Sequence, residues 1–232
     1  MTARRLDRSA KPRRAWIACA PLLLAAAACS PRWDRTPAHP PPSGPPIVAH
    51  RTSIPWLPPS VARHARLIDE ASLRHGVDAN LVAVVILVES GGDPAARSPA
   101  GALGLMQLMP ETAADIARKR GLPHHDEGRL LDPAYNVDLG AFYLGEQVRR
   151  FWTGYAEATV EYAAGAYNGG PGRMRRHLEE GQRLPAETRS YQRWVGGMWR
   201  ERFMPRSATF AAWYDAGGER LVASLESSLA GR

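Results

Sequence analysis

Asp78-Ala79-Asn80-Leu81-Val82-Ala83-Val84-Val85-Ile86-Leu87-Val88-Glu89-Ser90-Gly91-Gly92 is the stretch on which the fold turns. Residues 81–88 are apolar without a break, so the pattern fits a buried strand as well as a helix buried on all sides. Local signals select the helix. Asp78 is an N-cap residue type, able to accept from the free amides of a first turn. Ala79 and Asn80 lead in, and the segments on either side have helical period. The stretch therefore reads as a central buried helix, and Glu89 becomes its anomaly. An apolar setting disfavours the charged carboxylate. The negative end of the helix dipole disfavours it further. Both push the pKa toward the range of a general acid. The same glutamate also fits a plainer description, a side chain that surfaces where its helix ends.

Outward from this stretch the chain is helical. Val61, Ala65, Ile68, Ala71 and Ser72 share one face of a preceding helix, which Gly76 closes as a C′ residue. Further helices are expected over Thr112–Arg120, Asn136–Phe151, Glu157–Tyr167, Met174–Leu178 and Glu187–Phe203, with another from about Thr209 onward. Strand-like alternation is nearly absent. Turn signals are dense at Gly91-Gly92-Asp93-Pro94, Ser98-Pro99, Asp132-Pro133 and Asn168-Gly169-Gly170-Pro171-Gly172. No repeat at solenoid period occurs. The fold class expected is all-α, a compact bundle of short helices with functional loops between them.

The 232 residues, 44% apolar and 23% charged, suffice for one domain with a core plus appendages, but not for two large domains. The formal charge of +7 would fit a nucleic-acid binder, but its position argues otherwise. Residues 1–60 hold 9 Lys+Arg against 2 Asp+Glu, whereas residues 61–204 hold 18 of each. A phosphate-tracking surface needs its charge on the folded part, so no nucleic-acid partner is expected.

The basic start (Arg4, Arg5, Arg8, Lys11, Arg13, Arg14) and the apolar run Trp16–Ala28 read as a signal peptide over residues 1–28. The run is too short for a permanent bilayer span, which takes ~20 residues. Ala26-Ala27-Ala28 before Cys29 resembles a bacterial lipobox, with Ala26 where that pattern prefers Leu or Val. The resemblance implies lipidation of Cys29 and, since Ser30 and not Asp follows, an outer-membrane address. An ordinary secretory signal with Cys29 incidental fits the same residues. Cys19 lies in the apolar run, so the mature chain keeps a single cysteine and no internal disulfide. Residues 31–60 hold 10 of the 20 prolines. Residues 29–60 thus read as the anchor and a semi-rigid extended tether, or as a leader with no spacing role. Phe210, Trp213 and Tyr214 place an amphipathic helix packed back on the domain in the tail, residues 205–232.

Four segments carry chemistry, and each has a plainer reading when taken alone. The first is Glu89-Ser90. In the second, Ser98-Pro99-Ala100-Gly101 leads to Gly104-Leu105-Met106-Gln107-Leu108-Met109-Pro110, where a glutamine amide among methionines can donate to and accept from an N-acetyl group or sugar hydroxyls. Met106 reads as core. The third, Ala166-Tyr167-Asn168-Gly169-Gly170, puts a phenol and an amide at a helix end. The fourth, Glu187-Thr188-Arg189-Ser190-Tyr191, opens the next helix, where an acid also suits the dipole. His124-His125-Asp126-Glu127 reads as a solvated loop between Pro and Gly, and no metal is expected there.

Together, in this order, the four segments resemble the catalytic domain of the soluble-lytic-transglycosylase-like enzymes. Asp132-Pro133, Asn136, Gly140, Tyr143 and Leu144 resemble that family's middle helix. The resemblance covers about residues 62–200 and sets the expected catalytic domain at 61–204. It implies a lysozyme-like fold with a substrate groove, and peptidoglycan glycan strands as substrate, cut between N-acetylmuramic acid and N-acetylglucosamine. Glu89 is then the acid and base, giving a 1,6-anhydro end without metal or cofactor. By the same resemblance Ser98 and Gln107 hydrogen-bond the substrate and Met109 packs on a sugar. Tyr167 lies near the acetamido group or the acid, Asn168 shapes the turn beside it, and Glu187 and Tyr191 complete the groove. No second acid is paired with Glu89 by motif. A hydrolytic muramidase of the goose-type lysozyme kind would share fold and acid, and a non-catalytic glycan-binding lipoprotein would share the groove.

Overall fold

The structure is a computed structural model that describes residues 49–230. The signal peptide, Cys29 and most of the proline-rich stretch lie outside the described residues. Ten α-helices, one 3-10 turn and one π turn (Tyr214–Gly218) order the described chain. The helices are α1 (Pro59–Ala62), α2 (Ala65–His75), α3 (Ala79–Ser90), α4 (Pro110–Lys119), α5 (Pro133–Arg150), α6 (Ala156–Gly169), α7 (Pro171–Glu180), α8 (Ala186–Arg200), α9 (Ala208–Trp213) and α10 (Glu219–Ala230). Only isolated bridges, Arg97 to Leu103 and Leu103 to Leu108, stand where strands could have formed.

The deciding stretch is a helix. The Asp78 carboxylate accepts from the Leu81 amide at 2.9 Å, and Gly91 closes α3 in the left-handed region at φ 61°. Residues Ala79 to Leu87 are all buried, so α3 runs through the centre with α1, α2 and α8 packed around it. Each fully buried Val, Leu or Ile there contributes about 1.5–3 kcal/mol over exposure. The expected first helix is two. A turn at Arg63–His64 separates α1 from α2, because His64 is buried there with its ring 3.1 Å from the Gly92 carbonyl.

Segments before and after the expected limits of 61 and 204 pack on the same core. The Thr52 amide and hydroxyl donate to Asp69, the Ser53 amide donates to Asn80, and Ile54 is buried. The Trp56 indole donates to the Glu201 carbonyl at 3.0 Å and stacks on Phe210. The tail forms α9 and α10, with a bend at Gly217 (φ 122°) between them. Trp213 and Val222 are buried, with Phe210 and Tyr214 packed against them.

A polar knot positions the loop between α3 and α4. The buried Asn136 side chain on α5 donates to the carbonyls of Leu103 and Leu130 and accepts from the Met106 amide, each within 2.9 Å. Gly104 (φ 76°) passes so close to Asn136 and the Leu130 carbonyl that a β-carbon has no room. Gly140 on α5 admits Met106 in the same way, and Met106 is fully buried.

Candidate active site

The loop from Arg97 to Met109 and the α6–α7 junction face each other across a groove of about 620 Å³. Glu89 lies at its base, at the end of α3. Ser98, Gln107 and Met109 line one side, and Tyr167, Asn168 and Glu187 the other. The structure thus brings together six of the expected site residues with the acid.

Glu89 is partly open to the groove yet set deep in the protein. Burial pushes its carboxyl up to about 7, the Tyr191 hydroxyl pulls it down, and the Glu187 charge raises it again. The turn after Glu89 is clamped from both ends of the chain. A β-carbon on Gly91 would run into the Leu221 carbonyl of α10, and one on Gly92 into the Ser60 carbonyl of α1. Arg63 donates to the Gly92 carbonyl at 2.8 Å. Ser90, beside the acid, is buried and donates to the Leu105 carbonyl at 2.7 Å, tying the acid's helix to the opposite loop. Asp93 caps the turn by accepting from the Ala95 amide, a structural role.

Gln107 adopts φ 45°, unusual for a residue with a β-carbon. Its amide nitrogen donates to the Ala96 and Gly104 carbonyls at 3.2 and 2.9 Å. Both amide hydrogens are therefore spent on backbone. What the side chain keeps for a ligand is its carbonyl oxygen, an acceptor, and not the donor–acceptor pair that the sequence reading expected. The Ser98 hydroxyl oxygen accepts from the Ala102 amide, which leaves its proton free to donate. Met109 is 36% exposed, an apolar surface at the groove edge.

Tyr167 donates to the Met106 carbonyl at 2.8 Å, so its hydroxyl orders the loop while its ring lines the groove. Burial and the nearby Glu89 raise its pKa well above the usual phenol value. Tyr191 departs from expectation. It is 6% exposed and is not part of the groove wall. Its hydroxyl is buried behind the acid without a hydrogen bond of normal geometry, and burial, then Glu89, raise its pKa strongly. Tyr191 is thus set behind Glu89 and not in the groove wall, because α8 turns that residue inward. Sequence reasoning placed Tyr143 only on the middle helix. It lines the groove, with its ring centroid 5.3 Å from that of Tyr167. Its signal was its spacing of seven from Asn136, two turns along one face of α5.

Among the described residues no group of three or more His, Cys, Asp and Glu is placed to hold a metal. His125 hydrogen-bonds Tyr135, and Asp126 caps the 3-10 turn Glu127–Leu131.

The transglycosylase SLT domain family model matches residues 66–189. The chain belongs to that family. Among its SLT relatives is the endo-type membrane-bound lytic murein transglycosylase A of Klebsiella pneumoniae, 38% identical over 127 residues, which cover 53% of this chain and 56% of that one. The membrane-bound lytic murein transglycosylase C of Mannheimia succiniciproducens is 36% identical over 52% of this chain and 35% of its own length. The lytic transglycosylase Slt of Pseudomonas aeruginosa, of known structure, superposes with a TM-score of 0.52 at 29% identity, covering 63% of this chain and 25% of its own. The 70 kDa soluble lytic transglycosylase of Escherichia coli gives 0.51 at 27% identity, over 62% and 25%. The SLT fold is thus the expected lysozyme-like helical one. The chain spans little more than half the length of the curated relatives it matches, or less.

Proposed function

We propose that this protein is a lytic transglycosylase that cuts the β-1,4 bond between N-acetylmuramic acid and N-acetylglucosamine in peptidoglycan. The observation that carries the reading is Glu89, a carboxyl raised to about 7 at the base of a groove made by the other motif residues. A pKa near neutrality suits a group that must first give a proton and then take one. Glu89 protonates the glycosidic oxygen as its bond to the muramyl C1 breaks. The sugar's own acetamido oxygen supports the cation. The muramyl O6 then bonds to C1, and its proton returns to Glu89. The acid is restored, no water enters, and the product carries a 1,6-anhydro end. Effective molarity favours the tethered hydroxyl over water. The Gln107 oxygen and the Ser98 hydroxyl offer one acceptor and one donor to the sugars, and Met109 offers an apolar face.

A hydrolytic reading finds one observation in its favour. Glu187 lines the same groove, and two facing carboxylates are the usual hydrolytic pair. Glu187 is exposed at the rim, however, where bulk water competes with any ordered nucleophile. Digestion in isotopically labelled water separates the readings. Transglycosylation leaves the new muramyl ends unlabelled and one water lighter, whereas predominant label there would establish a muramidase.

The address belongs to the same proposal. The leader, Cys29 and the names of the membrane-bound relatives support an exported, lipid-anchored protein of the periplasm, held at the outer membrane. Cys29→Ala then moves it from the membrane fraction to the soluble one, since several acyl chains together anchor stably and their loss leaves none.

A further inference from the structure

A second cavity, of about 580 Å³, opens where the groove wall ends. The groove is lined as far as Gly170, and the cavity begins at Pro171 and Gly172, the next residues of the same α6–α7 junction. Its apolar part is made by the half-buried Trp152 and Tyr162 and by Leu178, which is 43% exposed. Its charged part is Arg150 at the end of α5 and Arg175 and Glu179 on α7. Among the described residues most ion pairs engage arginines elsewhere, such as Arg74 and Arg120 with Asp138 and Arg200 with Glu161. Among the described residues Arg150 and Arg175 have no carboxylate partner, although both are exposed beside one cavity.

Two unpaired guanidinium groups next to an aromatic wall fit a ligand with carboxylates on an apolar frame. A peptidoglycan glycan chain does not carry that charge, because its lactyl carboxyl is consumed in the amide to the peptide. The carboxylates of peptidoglycan are on its peptides, which also carry a free amine for Glu179 to meet. We propose that this cavity binds the acidic stem peptide of a muramyl sugar whose glycan chain lies in the adjoining groove. The proposal rests on the peptidoglycan reading above and adds a specificity site to it.

The test compares two substrates, glycan strands bearing their peptides and the same strands stripped of them by an amidase, with each freed lactyl carboxylate capped as its methylamide. In the Arg150→Ala/Arg175→Ala enzyme, KM for the peptide-bearing strands rises on the order of fivefold to tenfold, as two partly exposed charged contacts warrant. Its kcat, its melting temperature and its cleavage of stripped strands stay as in the wild type. Equal KM changes on both substrates, or none on either, overturn the proposal. A second arm needs no cleavage. The soluble tetrapeptide L-alanyl-D-glutamyl-diaminopimelyl-D-alanine is titrated at millimolar concentration into isotope-labelled wild type. The Trp152 indole and α7 amides shift, and the Arg175→Glu variant shows no such shifts. A peptide that leaves those signals unmoved also overturns the proposal. Should the wild type cut neither kind of strand, the peptidoglycan reading falls, while the titration still decides what the cavity binds.

Discussion

Glu89 and Glu187 are glutamates of one groove, and they sit in opposite surroundings. Glu89 ends a helix whose other residues are almost all buried, and its turn is locked between α1 and α10. Glu187 begins a helix, in the first turn of α8, and stands exposed. A helix end with negative polarity and an apolar bed holds a proton on the first. The second stands in solvent at the positive start of its helix. The side chain is the same and its properties are set by position, so the acid we propose is the glutamate whose surroundings oppose its charge.

The sharpest way to break this comparison is to make the same amide change at both. Glu89→Gln keeps the shape but has no proton to deliver, so turnover falls by about 10²–10⁴-fold while glycan binding persists. Glu187→Gln leaves turnover within an order of magnitude. A Glu89→Gln enzyme with more than a tenth of wild-type turnover, measured by muropeptide release, would remove Glu89 from the role.

The clamp on the acid gives the next effect. Gly76 and Gly91 close consecutive helices at nearly the same φ, 62° and 61°. Around Gly76 there is open space, so Gly76→Ala costs only the left-handed strain of about 1–2 kcal/mol. Gly91→Ala drives a β-carbon into the Leu221 backbone as well and costs more, about 3 kcal/mol or above. Denaturant unfolding of the two variants side by side checks this, and equal losses would show that α10 does not hold the turn.

Ionising Glu89 against its surroundings has a stability cost. Its folded pKa of about 7 exceeds the ordinary value of 4.5, so the contribution of Glu89 to stability is full below pH 4.5 and is lost as the pH rises through 7. Glu89→Gln carries no such charge. It should exceed the wild type by about 2 kcal/mol at pH 8, an allowance made for partial access to solvent, and by nothing at pH 4. Melting curves at the two pH values read the difference. The smallest effect concerns the coupling of the two acids. Wild-type kcat/KM falls as the pH rises through about 7, where Glu89 loses its proton. Since the Glu187 charge helps hold that proton, Glu187→Gln moves the falling limb to lower pH by some tenths of a unit. A limb that does not move would uncouple the pair.

Much of this was legible in the chain itself. The helices appear where cap and turn residues put them, because Asp78, Pro110, Asp132 and Gly76 act on the amides and carbonyls next to them. Such interactions span a few residues and leave a local trace. The place of Glu89 was legible for the same reason, as a charged residue ending an apolar run. The break at Arg63–His64 was not, since it answers to Gly92, 28 residues away.

What only the tertiary structure decided are the contacts between distant segments. That Gln107 keeps an acceptor alone depends on the carbonyl of Ala96. That Tyr191 sits behind Glu89 and not in the groove wall depends on which way α8 faces when it packs on α3 and α6. That residues near 52 and near 221 belong to the body which holds Glu89 depends on Asp69, Asn80 and the glycine turn. Periodicity and capping record which side of an element is apolar and where it stops. They carry no record of which partner fills that side, because any well-packed apolar surface satisfies the same pattern.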